Sequence, residues 1–211
     1  MAVIRETRSV SDFDEIALQG TGEIDLQQGE VESLVIETEE SILPRLKSDV
    51  ISGRLELGPK SWLDTVFLLG VRIIYHVTVK GLRSLSISGS GSLSAGALHS
   101  DRLKLSVSGS GNLEITRLDT PDLVLSVSGS SKARLAGAAR HLDLHFSGSA
   151  SLQAAELDTQ ETSVVISGSG EVTVKVSQRL DVHITGSGEV KYSGSPQINQ
   201  RISGIGRVTQ V

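Results

Sequence analysis

The sequence predicts an all-β chain wound as a right-handed parallel β-helix with a degenerate N-terminal capping region, and three observations carry that prediction. Ser-Gly-Ser or a near copy begins at Ser88, Ser108, Ser128, Ser147, Ser167, Thr185 and Ser203, at spacings of 20, 20, 19, 20, 18 and 18 residues. On both sides of each copy apolar and polar residues alternate, the period of a strand with one buried face. A further apolar position follows at Leu98, Leu118 and Leu157, where a third side of each coil would begin. No single coil can bury its apolar row alone, whereas coils stacked at about 4.8 Å close a continuous interior and pair their strands in parallel. Right-handed crossover is the strong default for such connections. Continuous repetition favours one domain, 1–211, with degenerate coils and a cap over 1–80 and regular Ser-Gly-Ser coils over 81–211.

The N-terminal third repeats less cleanly. Phe13, Ile16 and Leu18 lead into Gly20-Thr21-Gly22, and Ile24 and Leu26 follow, the pattern of a degenerate coil. Leu34 with Ile36, then Leu55 with Leu57, read as further strands, and Pro44 interrupts between them. This region is expected to cover the apolar end and strand edge that an open first coil would show to water. Within it, Trp62, Phe67 and Tyr75 stand among Val66, Leu68, Leu69, Val71, Ile73 and Ile74. The insertion 62–75 reads either as a cap or as an exposed apolar arm; as an arm, its interaction surface comprises Trp62, Phe67, Leu68, Leu69 and Tyr75, and joins subunits or touches a membrane or another partner.

In the regular coils the inward row upstream of each motif reads Leu103, Leu105, Val107, then Leu123, Leu125, Val127, then Leu142, Leu144, Phe146, then Thr162, Val164, Ile166, then Leu180, Val182, Ile184. Val107 and Leu113 are separated by an even number of positions, so unbroken alternation turns the corner glycines inward and the serines outward. Glycine suits a bend or a close backbone approach, so the motif's first task is to let the chain coil. The outward serines Ser90, Ser110, Ser130, Ser149, Ser169 and Ser187 would then form a hydroxyl stripe. Such a stripe either docks a repetitive ligand, a glycan or another β-edge, or is spent on hydrogen bonds among the hydroxyls and the corner backbone. The last copy, Ser203-Gly204-Ile205-Gly206, ends it with isoleucine.

Composition narrows the function classes. A net charge of -5 with no Lys/Arg cluster gives no footprint for nucleic acid. Aromatic residues make up 3% of the chain, too few for the stacking platforms of carbohydrate processing. The absence of cysteine excludes thiol chemistry and disulfides. No apolar run is long enough to span a membrane, and the start, Met1 to Arg8, lacks that of a signal peptide. The glycine motifs match neither the serine-hydrolase elbow, nor the calcium-binding nonapeptide, nor the dinucleotide fingerprint. His145 and His183, with Asp143 and Asp181 beside them, fall in one outward column two coils apart and read as solvated surface rather than a metal site. Asp101, Asp119, Asp158 and Asp181 lie near corners, but only Asp119 and Asp158 share a column, so no close catalytic carboxylate pair is expected. No catalytic, metal or cofactor residue is predicted.

Several segments together resemble the putative auto-transporter adhesin head GIN domain family of bacteria. They are Phe13-Asp14-Glu15-Ile16, Val77-Thr78-Val79 leading to Leu82 and Leu85, Ile87-Ser88-Gly89-Ser90-Gly91, and the closing Gly188-Glu189-Val190-Lys191-Tyr192-Ser193-Gly194-Ser195-Pro196. The resemblance implies a β-helical fold, a cell-envelope or extracellular setting, and an adhesive or scaffolding role without catalytic residues. The expected function is therefore a non-enzymatic envelope binding or structural module, with a protein or glycan partner and a homo-oligomer through the apolar insertion. The alternatives are a polysaccharide-processing lyase or hydrolase, by analogy of fold, and a surface- or ice-binding hydroxyl array.

Overall fold

The computed structural model describes residues 2–211; Met1, where the expected single domain begins, lies outside them. Over the described residues the fold is all-β, a single mixed sheet with one short α-helix. Its strands are β1 (Val3–Arg8), β2 (Glu15–Gln28), β3 (Ser33–Glu39), β4 (Leu46–Ile51), β5 (Arg54–Pro59), β6 (Ile74–Val79), β7 (Ser84–His99), β8 (Arg102–Ser193), β9 (Gln197–Gly204) and β10 (Arg207–Gln210). The helix α1 spans Trp62–Phe67, and Pro44 falls in a 3-10 turn between β3 and β4.

β7 lies parallel to β8 with Leu85 opposite Leu105, Gly89 opposite Gly109 and Leu93 opposite Leu113, one repeat apart throughout. β8 is extended over 92 residues, a length that would reach roughly 300 Å if straight. Instead it returns on itself: a Cβ placed on Gly129 would stand 2.3 Å from the carbonyl oxygen of Gly109, and one on Gly168 2.5 Å from that of Gly148. β9 continues the ladder on Arg179 to Gly186, and β10 on Glu189 to Tyr192.

The alternation read from the sequence is the alternation of burial. Leu103, Leu105 and Val107, the equivalent triplets of the later repeats, and Leu98, Leu118 and Leu157 are all buried in one continuous apolar interior. Thr162, the polar member of these rows, is buried too, and its hydroxyl meets that of Thr159 at 2.8 Å.

The N-terminal third keeps the register of the repeats and departs from their pairing. β2 lies parallel to β7 with Gly20-Thr21-Gly22 opposite Gly89-Ser90-Gly91, as a degenerate repeat should. On its other side β2 carries β5 parallel to its first half and β6 parallel to its second. Uniformly parallel pairing ends there: β3 is antiparallel to both β1 and β6, and β4 is antiparallel to β5. The cause is local. Only Ser52 and Gly53 join β4 to β5, both at positive φ (52° and 80°), and a two-residue connection of that kind makes a hairpin. β3 and β1 then cover part of the edge that β6 would otherwise expose.

Candidate functional site

A groove of about 1110 Å³ follows the Ser-Gly-Ser corners. Its floor includes Ser90, Ser110, Ser130, Ser149, Ser169 and Ser187, so all six serines expected to form a stripe line one surface. Thr21 extends the row at one end, and Ile205 stands at the other, its amide donating to the Gly186 carbonyl at 2.9 Å. The six serines are exposed, and among the described residues none of their hydroxyls has a hydrogen-bond partner. The alternative in which they bond to one another and to the corner backbone is therefore not the arrangement found. At the spacing of neighbouring strands the row extends roughly 24 Å.

The glycines explain why the serines stand clear. The first glycine of each corner, from Gly89 to Gly204, has φ between 112° and 127°, a region that side-chain-bearing residues avoid. Each of these lies against the backbone carbonyl of its counterpart one repeat earlier. The second position lies outside the left-handed region and its room varies: Ser131 and Ala150 occupy it in two repeats, and a Cβ on Gly170 or Gly188 would meet its nearest side-chain atom at 3.2 Å, whereas one on Gly111 would stand 2.3 Å from the Gly91 carbonyl oxygen.

Charged side chains border the floor. Lys191 bridges Glu171 at 3.0 Å and Glu189 at 3.3 Å, and these two carboxylates hold its ammonium above the ordinary lysine range. Arg72 stands 3.6 Å from Glu23 where the insertion returns. That insertion occupies the corner of its own layer: β5 ends beside Gly20, β6 begins opposite Glu23, and residues 60–73 fill the place opposite the two corner residues Thr21 and Gly22. Val71, Arg72 and Ile73 thereby wall one end of the groove.

Within the insertion the five residues singled out from the sequence divide. Trp62, Phe67 and Leu69 are exposed, whereas Leu68 and Tyr75 are buried and belong to the core. Tyr75 sits on β6 opposite Ile24 on one side and Ile36 on the other, an inward position. Its hydroxyl is buried without a partner among the described residues, and burial pushes its pKa well up. The segment thus acts in two ways, inserting Leu68 and Ile73 into the core and presenting the rest of α1 to solvent.

A second groove, of about 660 Å³, was not legible in the sequence as a site. It brings together His99, Asp101, Asp119, Arg140, Asp158 and Lys175, with His99 Nδ1 3.1 Å from Asp119 and Lys175 2.8 Å from Asp158. The signal was the apolar row Leu98, Leu118 and Leu157, each followed by the polar residue that turns outward at this corner. Asp181 lies apart, held by Arg179 at 2.7 Å. His145 and His183 are exposed, and among the described residues no three His, Asp or Glu side chains gather as metal ligands.

The family model described as "Putative auto-transporter adhesin, head GIN domain" matches residues 12–196. The chain belongs to this family. Three solved structures share the fold of this GIN domain. A putative adhesin from Bacteroides fragilis is 23% identical, with a TM-score of 0.90 over 100% of this chain and 97% of its own. A putative lipid binding protein from Parabacteroides distasonis is 24% identical, with a TM-score of 0.77 over 99% and 96%. A putative adhesin from Parabacteroides merdae is 20% identical, with a TM-score of 0.68 over 99% and 96%. At these identities the likeness establishes the fold alone. No curated protein matches. No helix among the described residues is long and apolar enough to cross a membrane.

Proposed function

We propose that this GIN domain is a non-enzymatic binding module of the bacterial cell envelope, acting as one unit, whose serine-lined groove takes an extended glycan. The reading includes a right-handed parallel β-helix: parallel registers one repeat apart and the glycine-on-carbonyl stack support the winding, and the preference of parallel crossovers supports the hand. The observation that carries the function is the row of six exposed hydroxyls free of internal hydrogen bonds in a groove of about 1110 Å³. Each can donate and accept, and the strand spacing repeats that offer regularly, which suits a polymer whose own hydroxyls recur. Family membership supports the envelope setting and the adhesive class.

The test is affinity electrophoresis through gels containing single neutral or acidic polysaccharides, with reducing ends assayed in parallel. The wild type is retarded by at least one polysaccharide without releasing reducing ends, and Ser110→Trp with Ser149→Trp, which fill the groove, abolishes the retardation. Retardation unchanged in that variant would remove the groove from the function. Release of reducing ends would favour a polysaccharide-processing enzyme instead.

A further inference from the structure

The face that α1 presents to solvent is its apolar one. On a helical wheel Trp62, Leu63, Val66 and Phe67 fall within an arc of roughly 140°, and Leu68 lies opposite that arc. Leu68 is 1% exposed and anchors the segment, while Trp62 is 77% exposed, Phe67 58% and, just beyond the helix, Leu69 71%. An amphipathic helix that packs on a core turns this face inward. Here it points away. The base is held firmly: Ser61 caps α1 by accepting from the Asp64 amide, Arg45 bonds Asp64 at 3.0 Å and lies 4.2 Å over the Phe67 ring, and the Thr38 hydroxyl donates to the Arg72 carbonyl.

Charge around the patch indicates what covers it. Asp64 is the sole acid of residues 60–72, and Ser61 and then Arg45 hold its carboxyl below the usual range. Lys60 has no carboxylate partner among the described residues, and Arg45 and Arg72 stand at the base of the segment. Five apolar side chains form a patch on the order of 500 Å², short of the ~800 Å² that each partner of a stable protein interface supplies. A small protruding apolar tip with tryptophan at its edge and cations beside it matches the chemistry of a bilayer interface, where apolar side chains enter the acyl boundary and ammonium groups meet anionic headgroups.

We infer that α1 and Leu69 form a membrane-docking tip that seats this end of the domain on an anionic lipid surface. Trp62 is the only tryptophan of the chain, so its fluorescence reports the event directly. With vesicles of phosphatidylcholine and phosphatidylglycerol the emission shifts to the blue and the protein floats with the lipid. With phosphatidylcholine alone both effects fall several-fold. Leu63→Ser, Val66→Ser and Leu69→Ser together keep the reporter and abolish both effects, while the circular dichroism melt, dominated by the buried ladder, stays in place. Absence of shift and flotation with the anionic vesicles overturns the inference. So does a blue-shifted Trp62 in a dimer that forms without lipid and is lost in the triple variant, which would assign the patch to a second copy of the chain. Neither outcome bears on polysaccharide retardation through the groove.

Discussion

The two inward positions of each corner meet different demands, and the residues found in them differ accordingly. The first is glycine in every regular repeat because its backbone conformation and the carbonyl above it both exclude a Cβ; at Gly109 that Cβ would lie 2.2 Å from the Gly89 oxygen. Gly96, on the same ladder, has nothing within 4 Å of a Cβ and is exposed. Gly109→Ala is therefore expected to lower stability by about 2 to 4 kcal/mol, combining backbone strain with a backbone clash. Gly96→Ala should be neutral or raise stability by up to about 1 kcal/mol, by restricting the unfolded chain. Urea titration of both variants checks this, and equal losses would show that the corner glycines are not under the constraint their geometry indicates. The phase of this motif was legible in the sequence because alternation is strict. The difference between its two positions was also written there, in Ser131 and Ala150, yet only the positive φ of the first glycines says why that position excludes a side chain in every regular repeat.

Among elements, the joint between β2 and β7 carries the N-terminal third on the regular ladder. Asp14, just before β2, forms a two-pronged ion pair with Arg83, just before β7, and its carbonyl accepts from the Arg83 amide at 2.8 Å. The Arg83 guanidinium, chiefly by hydrogen bonding, holds the Asp14 carboxyl below its ordinary range. A carboxyl lowered in the folded state contributes stability that is complete above its unfolded pKa, near 3.9, and is lost as pH falls through the folded value. The pair is 40% and 67% exposed, so solvent screening keeps its contribution small. Arg83→Gln should accordingly lose that small contribution at pH 7 and progressively less as pH falls toward 2, and the difference should shrink as salt is added. Denaturant midpoints across that range, compared with the wild type, decide it; a difference independent of pH would mean Arg83 acts by packing alone. Element pairing in this region was the least legible part of the fold. Leu34, Ile36, Leu55 and Leu57 announced strands, but period-two alternation is the same for either direction of pairing, and only the two-residue Ser52-Gly53 connection distinguishes the hairpin. For the insertion, an apolar run could not reveal that Leu68 and Tyr75 turn inward while Trp62 and Phe67 turn outward.

Across the whole molecule the two ends of the ladder are finished differently, and stability should be graded between them. At the N-terminal end β1, β3, β4 and the insertion pack around β2, β5 and β6. At the other end β9 is exposed along its whole length and pairs only with β8, as does β10. Facing Leu180, Val182 and Ile184 across that last register are Ile198, Gln200 and Ile202, and facing Val190 and Tyr192 are Val208 and Gln210. Two of the five positions that are apolar one repeat earlier have become glutamine, so the apolar row ends in amides that water can solvate. A ladder in which each strand pairs only with its neighbours unfolds from whichever end has the weakest pairing. Amide hydrogen exchange should therefore be fastest over 197–210, slowest in the central part of β8 around Leu125 and Leu144, and intermediate at β1. Leu144→Ala, which removes a fully buried side chain from the middle of the stack, should cost about 2 to 5 kcal/mol and raise exchange in the layers on both sides of it. Ile202→Ala, at the partly exposed end, should cost less than about 1 kcal/mol and leave exchange around Leu125 unchanged. Uniform acceleration of exchange in both variants would show instead that the ladder opens as one cooperative unit, in which case the glutamines at its end have no part in setting where unfolding starts.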